Sequence, residues 1–448
     1  MKSLGASPGA NKSRLDGVFL FCVAALIILG SMAVSSAVRP LAYYHQALER
    51  HFIALGFGTL LFFAAANFVY QVYEDQSVTV YGSVLAILIA VLVIGSSHKG
   101  HRSWIQLGFF AFQPSEFARL GLILVLAAVL DKRENRIEQL STILISVAVL
   151  IPVVALIIKQ PDFSMTLTLF PIFFGMLFCA GAIWEHLAVF LGFGISAAVM
   201  PFLYVFLDVY YPHPHARSLP SILLAVFHFK LAAFLAVFAL GIICAVIWYF
   251  NLLMRKRLRI SVFVLSWVIL SGGMLTGIVV SQKLKGYQRS RFTAYIDPGS
   301  DLRGSAYHVR QSQIAIGSGG LLGKGLFAGT QSQLGFLPER HTDFIYAVIG
   351  EESGFIGSAL VLGLYLLMIG RIVQIGMIAR DRYGYLVCSG IATMFAFDLL
   401  LNVGMCLGLM PVAGIPLPLV SYGGSSLMAS LWSLGIVANI GKRRYALL

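Results

Sequence analysis

Charge is what this 448-residue sequence has least of: 11% of its residues are Asp, Glu, Lys or Arg, and only 19 are acids. A soluble protein keeps about a quarter of its residues charged, so a water-soluble globular fold is excluded. Cysteine is thinner still. Cys22, Cys179, Cys244, Cys388 and Cys406 lie singly inside apolar segments, which excludes a disulfide framework and a paired thiolate metal site. The acids and histidines show no spacing suited to a metal cage, so no cofactor is evident and divalent-cation dependence stays open. The net charge of +13 raises nucleic acid as a partner. The bases, however, are scattered through short connections with no interleaved aromatic platform, and no nucleic acid partner is expected.

What is there is apolar: 58% of the residues are hydrophobic, and lipid is the main solvent. Runs such as 17–38 and 51–70 suffice to cross a hydrocarbon core, which takes about 20 apolar residues. They are uniformly apolar rather than alternating, so helices span, not barrel strands. The expected fold is an all-α polytopic membrane protein, one integral membrane domain over 1–448 with about twelve transmembrane helices. The spans fall near 17–38, 51–70, 78–96, 114–130, 141–159, 163–182, 186–207, 220–250, 260–281, 343–369, 385–410 and 418–440. The first run follows Lys2, Lys12 and Arg14 and exceeds the apolar core of a signal peptide, so an uncleaved span is expected. With the N-terminus in the cytoplasm, Lys132, Arg133, Arg136, Arg255, Lys256, Arg257, Arg259, Arg371, Arg380 and Arg382 fall inside. The C-terminal Lys442, Arg443 and Arg444 join them, which the positive-inside rule asks for, and both termini are expected to be cytoplasmic.

The stretch 282–342 then becomes one large extracytoplasmic loop. It holds eight bases, Lys283, Lys285, Arg289, Arg291, Arg303, Arg310, Lys324 and Arg340, which the charge rule does not police in a long loop. A solvated loop near headgroups is the plain reading. A site for an anionic ligand is the sharper one, because long ordered loops in compact proteins tend to carry function.

Within it, Ile316-Gly317-Ser318-Gly319-Gly320-Leu321-Leu322-Gly323-Lys324-Gly325 has the composition of a phosphate loop. Ser318 stands where that motif needs its first glycine and Gly325 where it needs Ser or Thr, so nucleotide binding is excluded. A cradle for a lipid pyrophosphate and a plain tight turn both stay open. Leu337-Pro338-Glu339-Arg340-His341-Thr342-Asp343-Phe344 closes the stretch, and Asp343 is expected to open the next apolar helix beside Arg340 and His341. An acid there is ordinary as a cap. Glu351 follows eight residues on, roughly 12 Å deeper on nearly the same face, and ionisable residues stacked into a membrane helix point to function.

Four further segments interrupt the apolar background. In Gln113-Pro114-Ser115-Glu116-Phe117-Ala118-Arg119, proline suits a first helical turn, and Glu116 pairs with Arg119 either structurally or as part of a site. Trp104 reads as an interfacial anchor in an outer loop, and Asp162 of Gln160-Pro161-Asp162 as a helix cap. The prolines and glycines from Pro411 to Ser426 break a helix at membrane depth, which is tolerated only where protein or a wet cavity satisfies the freed backbone.

The strings QPSEFAR, QPDF, YQRSRF, IDPGSD, QSQIAIGSGGLLGKG, GTQSQLGFLPERHTDFIYAVIGEESG and GIPLPLVSYGGSS run in order from about Trp104 to Ser426. They resemble the SEDS family (shape, elongation, division, sporulation), and LPERHTDF together with YGGSS is the most specific pairing. Arg340 before His341 and Gln160 before Pro161 resemble the elongation type more than the division type. The resemblance implies a peptidoglycan glycosyltransferase of the bacterial cytoplasmic (inner) membrane that polymerises lipid II onto a polyprenyl-pyrophosphate-linked glycan, with a class B penicillin-binding protein as partner. It also implies Asp343 as the residue required for polymerisation, Glu116 and Arg119 near the cavity, and Trp104 at its outer edge. Three features depart from the family pattern. Arg119 stands where Lys is usual, keeping charge but changing geometry; Ser164 replaces a usual Gly; and 210–282 is longer than usual, as an insertion with an extra helix pair.

On this reading Asp343 accepts the proton of the attacking sugar hydroxyl, while bases among Arg289, Arg291, Lys324 and Arg340 offset charge growing on the pyrophosphate. Glu116, Arg119, Trp104, Asp162, His341 and Glu351 complete the expected substrate site. An aspartate with an ordinary pKa of about 3.9 is a weak base, so burial or Glu351 has to raise it. A flippase or transporter of the lipid-linked precursor competes with this reading, as does a non-catalytic scaffold.

Overall fold

The computed structural model describes residues 15–98, 101–107, 110–211, 218–254, 260–284, 286–297 and 304–443. Of the bases weighed above, Lys2, Lys12, Arg14, Arg255, Lys256, Arg257, Arg259, Lys285, Arg303 and Arg444 lie outside the described residues. The chain divides into two compact units. The first comprises Met1–Ala182, Gln311–Leu409 and Ala413–Leu448; the second comprises Ile183–Arg310 and Met410–Val412.

The first unit opens with α1 (Gly17–Val38), α2 (Tyr44–Asn67), the short α3 (Gln71–Asp75) and α4 (Ser77–Ile94). Three antiparallel strands follow in sequence order, β1 (Ser96–His98), β2 (His101–Leu107) and β3 (Phe110–Phe112), then α5 (Pro114–Lys132), α6 (Leu140–Lys159) and α7 (Phe163–Ala180). The second unit holds α8 (Trp184–Tyr210), α9 (Leu219–His228), α10 (Lys230–Leu253), α11 (Ile260–Gln282) and α12 (Gly286–Ile296). The chain continues through α13 (Ser305–Ser318), α14 (Thr330–Gln333), α15 (Ile345–Met377), α16 (Arg382–Cys406) and α17 (Gly424–Arg443).

Ten of the described helices are long and apolar enough to cross a membrane: α1, α2, α4, α6, α7, α8, α10, α11, α15 and α16. The chain is an integral membrane protein. Two more of the twelve expected spans coincide with α5, which carries Glu116, Arg119 and Asp131, and with α17, which is rich in serine and glycine. The span expected over 220–250 is two helices, because Phe229 is extended (φ −113°, ψ 124°) between His228 and Lys230. Two polar residues at one point favour a break over a continuous apolar rod. The stretch expected as a loop over 282–342 contains α12, α13 and α14, and Trp104 sits in strand β2 rather than in a loop.

Local chemistry sets the helix ends of the first unit. Asp16 caps α1, its Oδ1 accepting from Phe19 N–H at 2.9 Å, and Asp162 caps α7, accepting from Met165 N–H at 3.1 Å. Asp381 does the same for α16 through Gly384 N–H at 2.8 Å, each satisfying a donor that the first turn leaves unpaired. Pro114 opens α5, where its missing N–H costs nothing. Packing centres on α16, most of whose residues are buried, with α7, α15 and α5 against it and α17 against α2.

The polar ends of these helices sort onto two faces of the unit. On one, Asp16 pairs with Arg371, Lys442 donates to Asn67 at 2.9 Å, Tyr70 OH donates to Asp381 at 2.7 Å, and Arg382 pairs with Glu134 at 2.7 Å. The described ends of the chain and three connections therefore share that face. Gln113, Asp162 and Ser425 meet at the opposite ends of their helices.

In the second unit α8 packs on α11 through Gly273 and Gly277, spaced as a small-residue motif that brings membrane helices close. A Cβ on Gly277 would meet Ala197 O and Met200 Cβ at 2.6 Å each. Leu207, Phe227, Ala233, Met274 and Ile278 form the buried cluster of this unit. Most apolar side chains of α10 face outward, as lipid rather than water allows.

Candidate functional site

Four sequence motifs far apart in the chain hydrogen-bond to one another in the first unit. Gln113 N–H donates to Ser425 Oγ at 2.9 Å, and Gln113 Nε2 donates to Asp162 Oδ2 at 3.0 Å. Ser421 Oγ donates to Thr342 O at 2.6 Å, and Tyr422 N–H to His341 O at 2.8 Å. The segments QPSEFAR, QPDF, HTDF and SYGGSS are thus one constellation, with Asp162 both capping its helix and receiving Gln113.

One turn into α5 lies a buried charge cluster. Arg119 Nη2 pairs with Glu116 Oε2, and its Nη1 reaches both oxygens of Asp398 on α16, at 3.0 and 2.9 Å. Glu116 and Arg119 are 2% exposed and Asp398 1%. The fork of a guanidinium serves two carboxylates at once, which a lysine ammonium does with less geometric definition. This gives Arg119 a physical reason to stand where the resemblance expects Lys. Removing one partner from so buried a group leaves an uncompensated charge, at a cost of about 3–5 kcal/mol.

Asp343 is half-buried and precedes α15; the residue flanking that helix is Phe344, which makes no side-chain cap. Asp343 is therefore not the expected helix opener but lies in a turn, ending at Phe344, whose main chain is pinned. Three consecutive carbonyls accept from three different donors: His341 O from Tyr422 N–H, Thr342 O from Ser421 Oγ, and Asp343 O from Asn402 Nδ2 at 2.9 Å. Asn402 also donates to Ile415 O at 2.7 Å, tying the Pro/Gly segment to the same turn. Glu339 in this turn has φ 47° and Leu419 in the facing segment φ 67°. Left-handed backbone at non-glycine residues costs about 1–3 kcal/mol and concentrates at functional sites. His341 stands edge-on to the Tyr422 ring, centroids 5.4 Å apart. Arg340 is buried, donates from Nε to Ala37 O at 2.8 Å, and loses proton affinity through that burial.

Glu351 and Lys324 are paired with each other, at 2.9 Å. Glu351 also accepts from Gln331 N–H at 2.8 Å, Ser332 N–H at 3.0 Å and Thr330 Oγ1 at 3.0 Å, so it holds the start of α14. Beside it, Glu352 accepts from Ser36 Oγ of α1 at 2.5 Å. The glycine-rich turn that carries Lys324 has a clear function in the fold. α15 is broken at Gly354 (φ 66°, ψ −160°), a conformation suited to glycine alone. Phe355 and Ile356 N–H donate to Gly320 O and Leu321 O at 2.9 and 3.2 Å instead of to their own helix. The carbonyls of Glu351 and Glu352, freed by the break, accept from Lys324 and Gly325 N–H, each at 3.0 Å. The amides of Lys324 and Gly325 are therefore committed to α15, as is that of Gly323 to Gly319 O at 2.8 Å. They do not form a phosphate cradle.

Trp104 is half-buried in β2. Arg289 and Arg291 belong to α12 of the second unit, where Arg289 pairs with Asp208 and lies over the Tyr204 ring, 5.9 Å from its centre. Among the described residues no group of three or more His, Cys, Asp or Glu is placed to hold a metal ion. Sequence reasoning missed Asp398 and Asn402. The available signal was an acid and an amide four residues apart in the otherwise apolar α16, which puts both on one helical face.

The family model for cell cycle proteins of the FtsW, RodA and SpoVE type matches residues 15–218 and 210–446. The chain belongs to this family. The peptidoglycan glycosyltransferase RodA of Treponema pallidum (strain Nichols) is 33% identical over 445 residues, covering 96% of this chain and 98% of the relative. Among solved structures, a chain from work on the structural coordination of polymerization and crosslinking by a peptidoglycan synthase complex superposes with TM-score 0.67 at 29% identity. It covers 96% of this chain and 98% of that one. The rod shape determining protein RodA of Thermus thermophilus superposes with TM-score 0.59 at 26% identity, with the same coverage of 96% and 98%. Each of these matches spans 96% of this chain.

Proposed function

We propose that this protein is a peptidoglycan glycosyltransferase that polymerises lipid II during cell elongation. It works in the bacterial cytoplasmic membrane with both termini cytoplasmic, alongside a class B penicillin-binding protein. The observation that carries the reading is the convergence of the QPSEFAR, QPDF, HTDF and SYGGSS segments around a half-buried aspartate with a pinned main chain. A pinned main chain restricts where the Asp343 carboxylate can reach, and proton abstraction from a sugar hydroxyl requires such positioning.

The chemistry balances with few parts. The acceptor hydroxyl of one lipid-linked disaccharide attacks the anomeric carbon of the glycan donor, and its proton passes to the Asp343 carboxylate. The bond from that carbon to the pyrophosphate oxygen breaks, and polyprenyl pyrophosphate leaves with the electron pair. Attack opposite the leaving group inverts the anomeric centre. Arg340, in the same turn as Asp343, offsets the charge that grows on the pyrophosphate.

The test is polymerisation of lipid II in vesicles by the purified protein with its partner. Wild type yields glycan strands, and Asp343→Asn, correctly folded, loses at least about a hundredfold in rate, the range for a lost general base. Lipid crossing without polymer from wild type would instead establish the flippase, and full activity in Asp343→Asn would remove that residue from the role.

A further inference from the structure

We infer that one face of α16 is the positioning element of the site, with Asn402 setting Asp343 and Asp398 setting Arg119 and Glu116. The inference rests on the glycosyltransferase reading and deepens it. Asp398, Asn402 and Cys406 follow at four-residue intervals and so line up along the helix. Asn402 Nδ2 joins the carbonyl of Asp343 to that of Ile415, at 2.9 and 2.7 Å, and Cys406 Sγ lies 3.8 Å from the same Asp343 carbonyl. Cys406 is held in turn through its carbonyl by Ser312 Oγ at 2.8 Å. One turn back, Asp398 receives Arg119, which brings Glu116 into the same line. A single helix thereby fixes the main chain of the aspartate turn and the charge cluster of α5 relative to each other.

The side chains involved are poor choices for stability alone. Asn402 is fully buried and Asp398 1% exposed, yet Asn402 Oδ1 and Arg119 Nε have no hydrogen-bond partner among the described residues. Buried polar atoms left unmatched are rare in folded proteins, and leucine in place of Asn402 would avoid the cost at the expense of both carbonyl contacts. Neither Asn402 nor Asp398 needs to touch substrate: each acts through another residue.

The experiment measures lipid II polymerisation by the protein with its partner in vesicles, with kcat and KM determined separately, for Asn402→Asp, Asp398→Asn and Asp398→Glu. Asn402→Asp keeps the shape but replaces the donor with an oxygen facing two carbonyls. Asp398→Asn keeps the shape and removes the charge. Both are expected to lower kcat at least tenfold with KM within about twofold, while Asp398→Glu regains part of the loss. Thermal unfolding in detergent separates folding from positioning. If Asn402→Asp does not fold, the Asp398 pair decides alone. Wild-type kcat in folded Asn402→Asp or Asp398→Asn overturns the inference, as does a loss confined to KM, or an Asp398→Glu no better than Asp398→Asn. A wild-type protein that makes no polymer fails the underlying reading instead, and the two failures are distinct.

Discussion

Asp16 shows how much a single side chain does at the end of a membrane helix. It caps α1 and pairs with Arg371 at 2.5 Å. Burial pushes its proton affinity up, but the amide of Phe19 and the guanidinium of Arg371 more than offset this and hold its pKa below the ordinary 3.8. Because the folded value lies below the unfolded one, its stabilisation is complete above about pH 4 and disappears as pH falls through the folded value. Asn caps a helix as well as Asp does, so Asp16→Asn isolates the ion pair. The expected cost is about 1 kcal/mol or less, since Arg371 is a third exposed. Thermal unfolding at pH 7 should show a lower Tm for the variant, and the gap should close below pH 4; a gap that persists there would assign the effect to capping. Arg119 makes the contrasting case. Its chemistry was readable as a pair with Glu116 three residues earlier, but Asp398 lies 279 positions away, and no local spacing announces a partner at that distance.

Among the helices, most of the apolar ones were readable because lipid leaves the backbone no partner but itself. Breaks were harder to place. The interruption at Phe229 was hinted at by the adjoining His228 and Lys230, whereas that at Gly354 gave no hint, because its cause is tertiary: the turn at 319–325 supplies what the helix lacks. The same turn was read from composition as a phosphate cradle or a tight turn, and composition does not say where its amides donate. Gly354→Ala tests the arrangement. The methyl would meet Gly323 N and Leu321 O in a conformation that disfavours side chains, and a loss of roughly 2–4 kcal/mol is expected. Thermal unfolding against Gly363→Ala, where a Cβ meets nothing within 4 Å, supplies the comparison; equal Tm values for the two would refute the arrangement.

For the molecule as a whole, charge asymmetry along the chain predicts sidedness. Asp16, Lys442, Arg371, Arg382 and Glu134 gather on one face of the first unit, and by the positive-inside rule we propose that this face is the cytoplasmic one. A reporter that matures only in the cytoplasm, fused after the last residue, is expected to be active, and a periplasm-dependent reporter at the same point inactive. The reverse pattern would invert the orientation and put Asp343 on the wrong side for wall synthesis. Family and site motifs were readable because they are strings; the convergence of those strings was not, since it depends on how separate helices pack.

The filled gap in α15 also bears on how the protein is made. Residues 319–325 leave the ribosome before the helix they complete, so the two donors and two carbonyls that the break at Gly354 frees already have counterparts when that helix enters the bilayer. A circularly permuted gene that synthesises the helix first would send it into lipid incomplete, and its insertion would stall at Gly354.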